Sequence, residues 1–270
     1  NAIFAGYGFM AEDETMVASM ENAGLNFIGP CSRTVRQAGL KDEAKRTALK
    51  AGVSVTPGVD NATALTLLKK HPTVEALSAL CQEHGLEGVD LTGQELEDLA
   101  DRVLGVSYKA GIDLYTIDEL IETLQESVQG MNDQYPNNRV RLKAIGGGGG
   151  KGQRIVERGD AERTGELVKE ILQEVKASGV GDNKNVLVEL NIESTRHQEI
   201  QVIGNGEWCT TLGGRDCSLQ MHEQKLLEVS VTRESLIQAA DEADAAGLTD
   251  HAEVLRADVV TLDTMEEEAS

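Results

Sequence analysis

Aromatic residues are scarce in this 270-residue chain, at 3% of the total with a single Trp. The hydrophobic core must therefore be built from Val, Leu, Ile and Ala. No apolar run approaches the ~20 residues that a membrane-spanning helix needs. The four cysteines, Cys31, Cys81, Cys209 and Cys217, are scattered and no two stand in CxxC spacing. That pattern suggests neither a zinc site nor a disulfide framework, and reduced thiols in a cytosol-like compartment are expected. Positive charge is short as well: 25 Lys and Arg face 46 Asp and Glu, a net charge of −21. A polyanion such as DNA or RNA is a poor partner for such a chain. Much of the negative charge lies between Glu234 and the Glu266-Glu267-Glu268 run, which reads as a solvated helix face or frayed end. No secretory signal opens the sequence. NAIFAGYGF reads as if it begins mid-strand with no initiating Met, so an internal segment of a longer protein is expected. A cytoplasmic setting is expected too, with a mitochondrial one left open.

The length allows more than one domain. AIFAGYGF, LNFIGP and VSVTPG read as strands alternating with helices, the second helix running from a Ser32 cap to a Gly52 stop. That alternation predicts an α/β sheet. From about Asn61 the pattern turns helical, through ALTLLKKH, VEALSALCQEHG, GQELEDLADRVLG and TIDELIETLQESVQGM. Thr92 with Glu95 and Thr116 with Glu119 have capping-box spacing. RVRLKAI and QRIVERG are then read as strands, AERTGELVKEILQEVKASG as a helix, and NVLVELNI, QEIQVIGNG and EWCTTLGGRDC as further strands. A return to helix follows. With the family resemblance set out below, this pattern implies 1–30 as the end of an N-terminal α/β domain, 31–58 as a linker helix and strand, 59–138 as a helical insertion within the lid region, 139–191 as a lid with the glycine loop, and 192–270 as the truncated start of a C-terminal domain.

Five consecutive glycines, followed by Lys151 and Gly152, sit between two of those strands in RLKAIGGGGGKGQRIV. A flexible linker is one reading, but linkers rarely join two strands in a hairpin. Glycine lets backbone N–H groups approach phosphate oxygens, and lysine adds a cation. No GK[ST] opens a helix here, and no helix follows as a dinucleotide-binding fingerprint requires. The reading left is a strand–loop–strand lid over a nucleotide triphosphate, with Lys143 adding charge just before the loop.

The same stretch resembles the glycine-rich loop of biotin carboxylases, members of the ATP-grasp superfamily. AGYGFMAED, LNFIGP, VRQAGLKDEAKRTALKAGVSVTPG, VELNIESTRHQEIQV and LGGRDCSLQMHEQKLLE resemble further motifs of that family in the same order. The resemblance implies an ATP-grasp fold of the α/β (α+β) class. It also implies an ATP-dependent ligase that activates bicarbonate as carboxyphosphate and carboxylates the ureido nitrogen of biotin on a carrier. On the matching positions, Lys41 falls on the nucleotide-phosphate lysine and Lys143 on the lid lysine. Gly147, Gly148, Gly149, Gly150 and Gly152 would form the triphosphate lid. Glu189 falls at the adenine hinge, where backbone groups of Leu190 and Ile192 would read the base edge. His197 and Gln220 fall on the ribose side, Lys225 on the lysine that holds bicarbonate, and Glu12 on an acid beside the nucleotide. Phosphoryl transfer needs positioning and charge neutralisation above all, which such lysines and loop amides supply.

Taken singly, Lys41 reads as a solvated helix lysine, His197 as a structural histidine, Glu12 as a surface acid and Lys225 as a snorkelling side chain; the ordered set of motifs outweighs such readings chiefly for Lys143, the glycines, Lys225 and Glu189. Departures are also present. Phe4-Ala5 opens the first motif, Gly39-Leu40-Lys41 replaces a GDK triad, Leu190 replaces a frequent lysine, and Glu223 stands where a nucleotide-contacting histidine is usual. The Mg²⁺-binding acids and a catalytic arginine of the family match nothing after Lys225, so no metal ligand is expected within the chain. The cofactors implied are ATP, Mg²⁺ and biotin. The partners implied are bicarbonate, a biotinylated carrier protein or domain, a carboxyltransferase component and a homo-oligomeric or multi-subunit assembly. Two alternatives stand beside this reading: a carbamoyl-phosphate-synthetase-like ligase, and a degenerate ATP-grasp module used for interaction.

Overall fold

A computed structural model describes residues 2–6, 9–39, 41–93, 95–145, 152–177, 184–193, 195–221 and 224–269. It divides into two compact units, Asn1–Ile192 and Glu193–Ser270, each described by itself below.

In the first unit, β1 (Ala2–Ile3) and β2 (Asn26–Phe27) pair in parallel across α1 (Glu14–Asn22). Asp13 caps α1 by accepting from the Met16 N–H at 2.7 Å. The single helix expected from Ser32 to Gly52 is two, α2 (Ser32–Gly39) and α3 (Lys41–Lys50). Gly39, the poorest helix former after proline, closes the first. Ser32 is the first residue of α2 rather than its cap, and its hydroxyl donates to Glu21 at 2.6 Å. The VSVTPG strand shrinks to β3 (Gly58–Val59), because Pro57 brings no N–H to a ladder.

The helical stretch gives α4 (Ala62–Lys70), α5 (Val74–Glu83), α6 (Leu96–Ala110) and α7 (Ile117–Gln134). The capping box expected at Thr116 and Glu119 starts α7. The one expected at Thr92 and Glu95 does not form: the Thr92 N–H and hydroxyl both donate to Asp90, at 2.9 and 2.5 Å. This local turn competes successfully for the cap. The chain continues as β4 (Arg139–Ala144), β5 (Gln153–Val156), α8 (Thr164–Ala177) and β6 (Val186–Asn191).

These strands form an antiparallel sheet in the order β3-β6-β4-β5. One face is apolar. Val140, Leu142 and Ala144 of β4 and Val186 and Val188 of β6 join one buried cluster with Leu67, Leu104, Leu124 and Val128 of the helices and Ile171 of α8. The helical stretch therefore shares its core with the sheet. The opposite face of the sheet carries Arg141, Lys143 and Glu189, set there by the two-residue alternation of strands. β3 runs so close to β6 that a Cβ on Gly58 would lie 2.2 Å from the Val188 carbonyl oxygen, so only glycine fits.

The second unit holds a three-stranded antiparallel sheet in the order β11-β8-β7 and a short hairpin. The strands are β7 (Gln198–Gly204), β8 (Cys209–Asp216), β9 (Gln220–Met221), β10 (Gln224–Lys225) and β11 (Val229–Val231). The β7–β8 turn is organised by the Asn205 side chain, which accepts from the N–H groups of Glu207 and Trp208 at 3.0 and 3.1 Å. Two helices follow, α9 (Arg233–Ala245) and α10 (Thr249–Ala269). Leu236, Val259 and Leu262 bury against Ile200 and Val231 of the sheet. The Glu266–Glu268 run lies within α10, with Glu267 and Glu268 exposed.

Candidate functional site

The polar face of the first unit's sheet gathers a compact set of charges. Strand register places Arg141 opposite Glu189 and Lys143 opposite Leu187 on β6. Glu189 is the centre: its side chain is 8% exposed, Lys143 Nζ lies 2.6 Å from one carboxylate oxygen and Lys45 Nζ 3.3 Å from the other. Burial works to raise the Glu189 carboxyl, but the hydrogen bonds and charges of Lys143 and Lys45 outweigh it, and the group is held below its usual range. Lys45 also pairs with Asp60 at 2.5 Å. One turn earlier on α3, half-buried Lys41 donates to the carbonyls of Ala144 and Ile145 at 3.1 and 3.4 Å. Those carbonyls mark the point where β4 runs into the glycine segment. Burial, then repulsion by Lys143, lowers the Lys41 ammonium, with Glu189 partly opposing. Arg141 is fixed beside them, donating to Asn191 at 3.0 Å and to Gln153 at 2.8 Å.

Three of the expected site residues, Lys41, Lys143 and Glu189, are thus brought together. Gly147 to Gly150 lie outside the described residues. Gly152 is buried with φ +70°, and its carbonyl accepts from the Ala144 N–H at 2.8 Å, which closes the hairpin base. The Leu190 N–H donates to the Pro57 carbonyl at 2.9 Å. Of the backbone groups of Leu190 and Ile192 expected to read a base edge, the Leu190 N–H is therefore already engaged. Ile192 is exposed just beyond β6. Glu12 is exposed in a single 3₁₀ turn, Phe9–Glu12, and is not among the groups that meet Glu189. Sequence reasoning missed Lys45 and Asp60. The signal for Lys45 was its position four residues after Lys41 on one helix face; nothing local marks Asp60.

In the second unit, His197, Gln220 and Lys225 also converge. The Gln220 amide nitrogen donates to the Cys217 carbonyl and to His197 Nδ1, both at 2.9 Å. Because that nitrogen can only donate, Nδ1 accepts, and the proton of the neutral ring sits on Nε2. Nε2 lies 3.6 Å from Glu199. Glu199 also takes Lys225 and, at 2.5 Å, Arg215. Burial of Glu199 is outweighed by these two cations and its carboxyl is lowered, while the Glu199 hydrogen bond raises Lys225. Glu199 and Arg215 were missed in the sequence although they are cross-strand partners on β7 and β8. Nearby, Arg196 bridges Asp216 and Asp258 of α10.

Both sets pair lysine or arginine side chains with a partly buried carboxylate. Lysines at the mouth of a glycine segment can neutralise a polyphosphate. Among the described residues no group of three His, Cys, Asp or Glu side chains could hold a metal ion.

Known proteins carry the same pattern. The family described as carbamoyl-phosphate synthase L chain, ATP binding domain, matches residues 109–241, and the biotin carboxylase N-terminal domain matches residues 1–35. Biotin carboxylase 1 of Bacillus subtilis (strain 168) is 30% identical over 234 residues, 85% of this chain and 37% of that protein. Over most of its length the chain is similar to the biotin carboxylases of the ATP-grasp superfamily. Among solved structures of such proteins, the biotin carboxylase domain dimer of Hydrogenobacter thermophilus 2-oxoglutarate carboxylase was determined with MgADP, ADP and bicarbonate. It is 28% identical with a TM-score of 0.52, matching 87% of this chain and 39% of that one. The Campylobacter jejuni biotin carboxylase bound to a β,γ-ATP ligand is similar in fold, with a TM-score of 0.58 at 24% identity over 97% of this chain and 43% of that one. The chain thus spans well under half the length of these biotin carboxylases. Residues 36–108, which include Lys41, Lys45 and Asp60, lie between the two family matches. No helix among the described residues is long and apolar enough to cross a membrane.

Proposed function

We propose that this chain supplies ATP-binding and bicarbonate-binding parts of a biotin carboxylase, an ATP-dependent ligase that carboxylates protein-bound biotin. The observation that carries the reading is the meeting of Lys41 and Lys143 with buried Glu189 where β4 enters the glycine segment. In this role Lys41 and Lys143 neutralise the phosphates and position them for transfer to bicarbonate. Glu189 sets the position of Lys143, and Gly152 gives the hairpin base the left-handed turn it needs. In the second unit Lys225 is the proposed cation for bicarbonate, and the anion competes there with the Glu199 carboxylate. His197 and Gln220 are proposed to face the nucleotide ribose, with the His197 tautomer fixed by the Gln220 amide. Mg²⁺ would arrive with the phosphates, which form much of its usual coordination shell. The partners proposed are a biotinylated carrier and a carboxyltransferase component.

Calorimetric titration with ATP, with and without Mg²⁺, tests the reading on the wild type and on Lys143→Ala. Binding that weakens at least about tenfold in the variant supports it. Equal affinity in both forms removes Lys143 from the site, and no binding to either form refutes an ATP site in this chain. A second reading is favoured by the match to the carbamoyl-phosphate synthase domain over residues 109–241. Both readings share bicarbonate activation and differ in the acceptor, so free biotin against ammonia as co-substrate separates them in an ADP-release assay.

A further inference from the structure

Glu189 presents each carboxylate oxygen to a different lysine, and the two lysines are not equivalent. Lys143 belongs to the strand that runs into the glycine segment, and its side chain is 34% exposed. Lys45 comes from α3, is only 13% exposed, and is anchored by Asp60 at 2.5 Å. Asp60 follows directly on β3, which the Gly58–Glu189 register fixes against β6. Lys143 is therefore placed to leave and Lys45 to stay.

A polyphosphate entering this site competes for the Lys143 ammonium. If Lys143 moves to it, Glu189 is left buried, next to an incoming group of its own charge. A buried carboxylate without a cation is strongly disfavoured. Glu189 would then hold Lys143 back, and the phosphate would lose its ligand. Lys45 removes that conflict. Its ammonium already lies 3.3 Å from the oxygen that Lys143 does not use, and a small approach gives Glu189 a full ion pair.

We propose that Lys45 is a positioning residue for nucleotide binding: it keeps Glu189 paired and so frees Lys143 for the phosphates. The proposal rests on the reading of this cluster as a polyphosphate site. Asp60 tunes it, because it shares the Lys45 charge with Glu189. A purely structural lysine would affect all ligands alike. A positioning lysine affects only those that carry phosphates, and acts through Glu189.

The test is calorimetry on the full chain with two probes, ATP and adenosine, using the wild type, Lys45→Met, Asp60→Asn, Glu189→Gln and the Lys45→Met/Glu189→Gln double variant. Lys45→Met is expected to weaken ATP about tenfold and to leave adenosine unchanged. In the Glu189→Gln background the same change is expected to have an effect within about twofold, because the carboxylate it serves is gone. Asp60→Asn gives Lys45 wholly to Glu189 and is expected to tighten ATP about threefold; general damage to the fold would weaken it. That arm still decides the question if Lys45→Met does not fold. Wild-type affinity for ATP in Lys45→Met, equal losses for ATP and adenosine, full additivity in the double variant, or weaker ATP binding by Asp60→Asn would each overturn the role of Lys45. The polyphosphate reading would survive all four. It fails, and takes Lys45 with it, if the wild type binds adenosine and ATP equally or binds neither.

Discussion

Replacing Asp216 by Asn tests whether charge holds the second unit together at the RDCS motif. Asp216 accepts from the Ser218 N–H at 2.9 Å and pairs with Arg196, which also reaches Asp258 on α10. Burial alone would raise the carboxyl. Hydrogen bonds from Ser218 and Arg196, with the Arg196 charge, outweigh it and bring it from 3.8 down to about 2. A carboxyl displaced that far favours the folded, ionised form by about 2.5 kcal/mol. Arg196 is half-exposed, so solvent screening brings the expected contribution to about 1–2 kcal/mol. A lowered folded pKa gives stability that is present above the unfolded value and lost as pH falls through the folded one. Asp216→Asn should therefore lower stability by about 1–2 kcal/mol at pH 7, with the gap to wild type closing from about pH 4 toward pH 2. Urea denaturation followed by the fluorescence of Trp208, the single tryptophan and a member of this unit, reads the difference. A gap that stays constant between neutral and acid pH would falsify the electrostatic account and assign the loss to packing.

Leu124 is fully buried between the helices and the sheet of the first unit, and Leu124→Ala should cost about 3 kcal/mol or more in chemical denaturation; a loss below about 1 kcal/mol would mean that the helices and sheet do not share one core. Gly58→Ala puts a methyl 2.2 Å from the Val188 carbonyl and should destabilise the first unit by about 1–3 kcal/mol, with faster hydrogen exchange at Val59. Glu189→Gln should lower stability by about 1–3 kcal/mol at pH 7. Because the Glu189 carboxyl lies below its usual range, that loss should fade below about pH 4, and thermal melts at neutral and acid pH decide it.

Much of the architecture was legible along the chain because its causes are local. The apolar alternation of RVRLKAI and QRIV predicts β4 and β5, and Thr116 with Glu119 predicts where α7 begins. Lys143 and Glu189 were expected to belong to one site, and they form an ion pair. Other features depend on neighbours that sequence spacing does not reveal. The helix expected from Ser32 to Gly52 breaks near Gly39, and Thr92 turns to Asp90 instead of capping α6. Both outcomes are contests between weak local preferences, settled at Thr92 by two hydrogen bonds to Asp90.

The strand and helix periods, the acidic character, the glycine segment and the lysines flanking it are written in residue type and spacing. Which charges answer which depends on how the chain folds back on itself. Lys45 reaches Glu189 across 144 positions of sequence, and Lys41 reaches the Ala144 carbonyl across 103. Arg215 meets Glu199 only because β7 and β8 pair in one register. Such pairings are fixed by burial: a carboxylate taken out of water must find a cation in three dimensions, and for Glu189 the side chain of Lys45 on α3 reaches across to supply one.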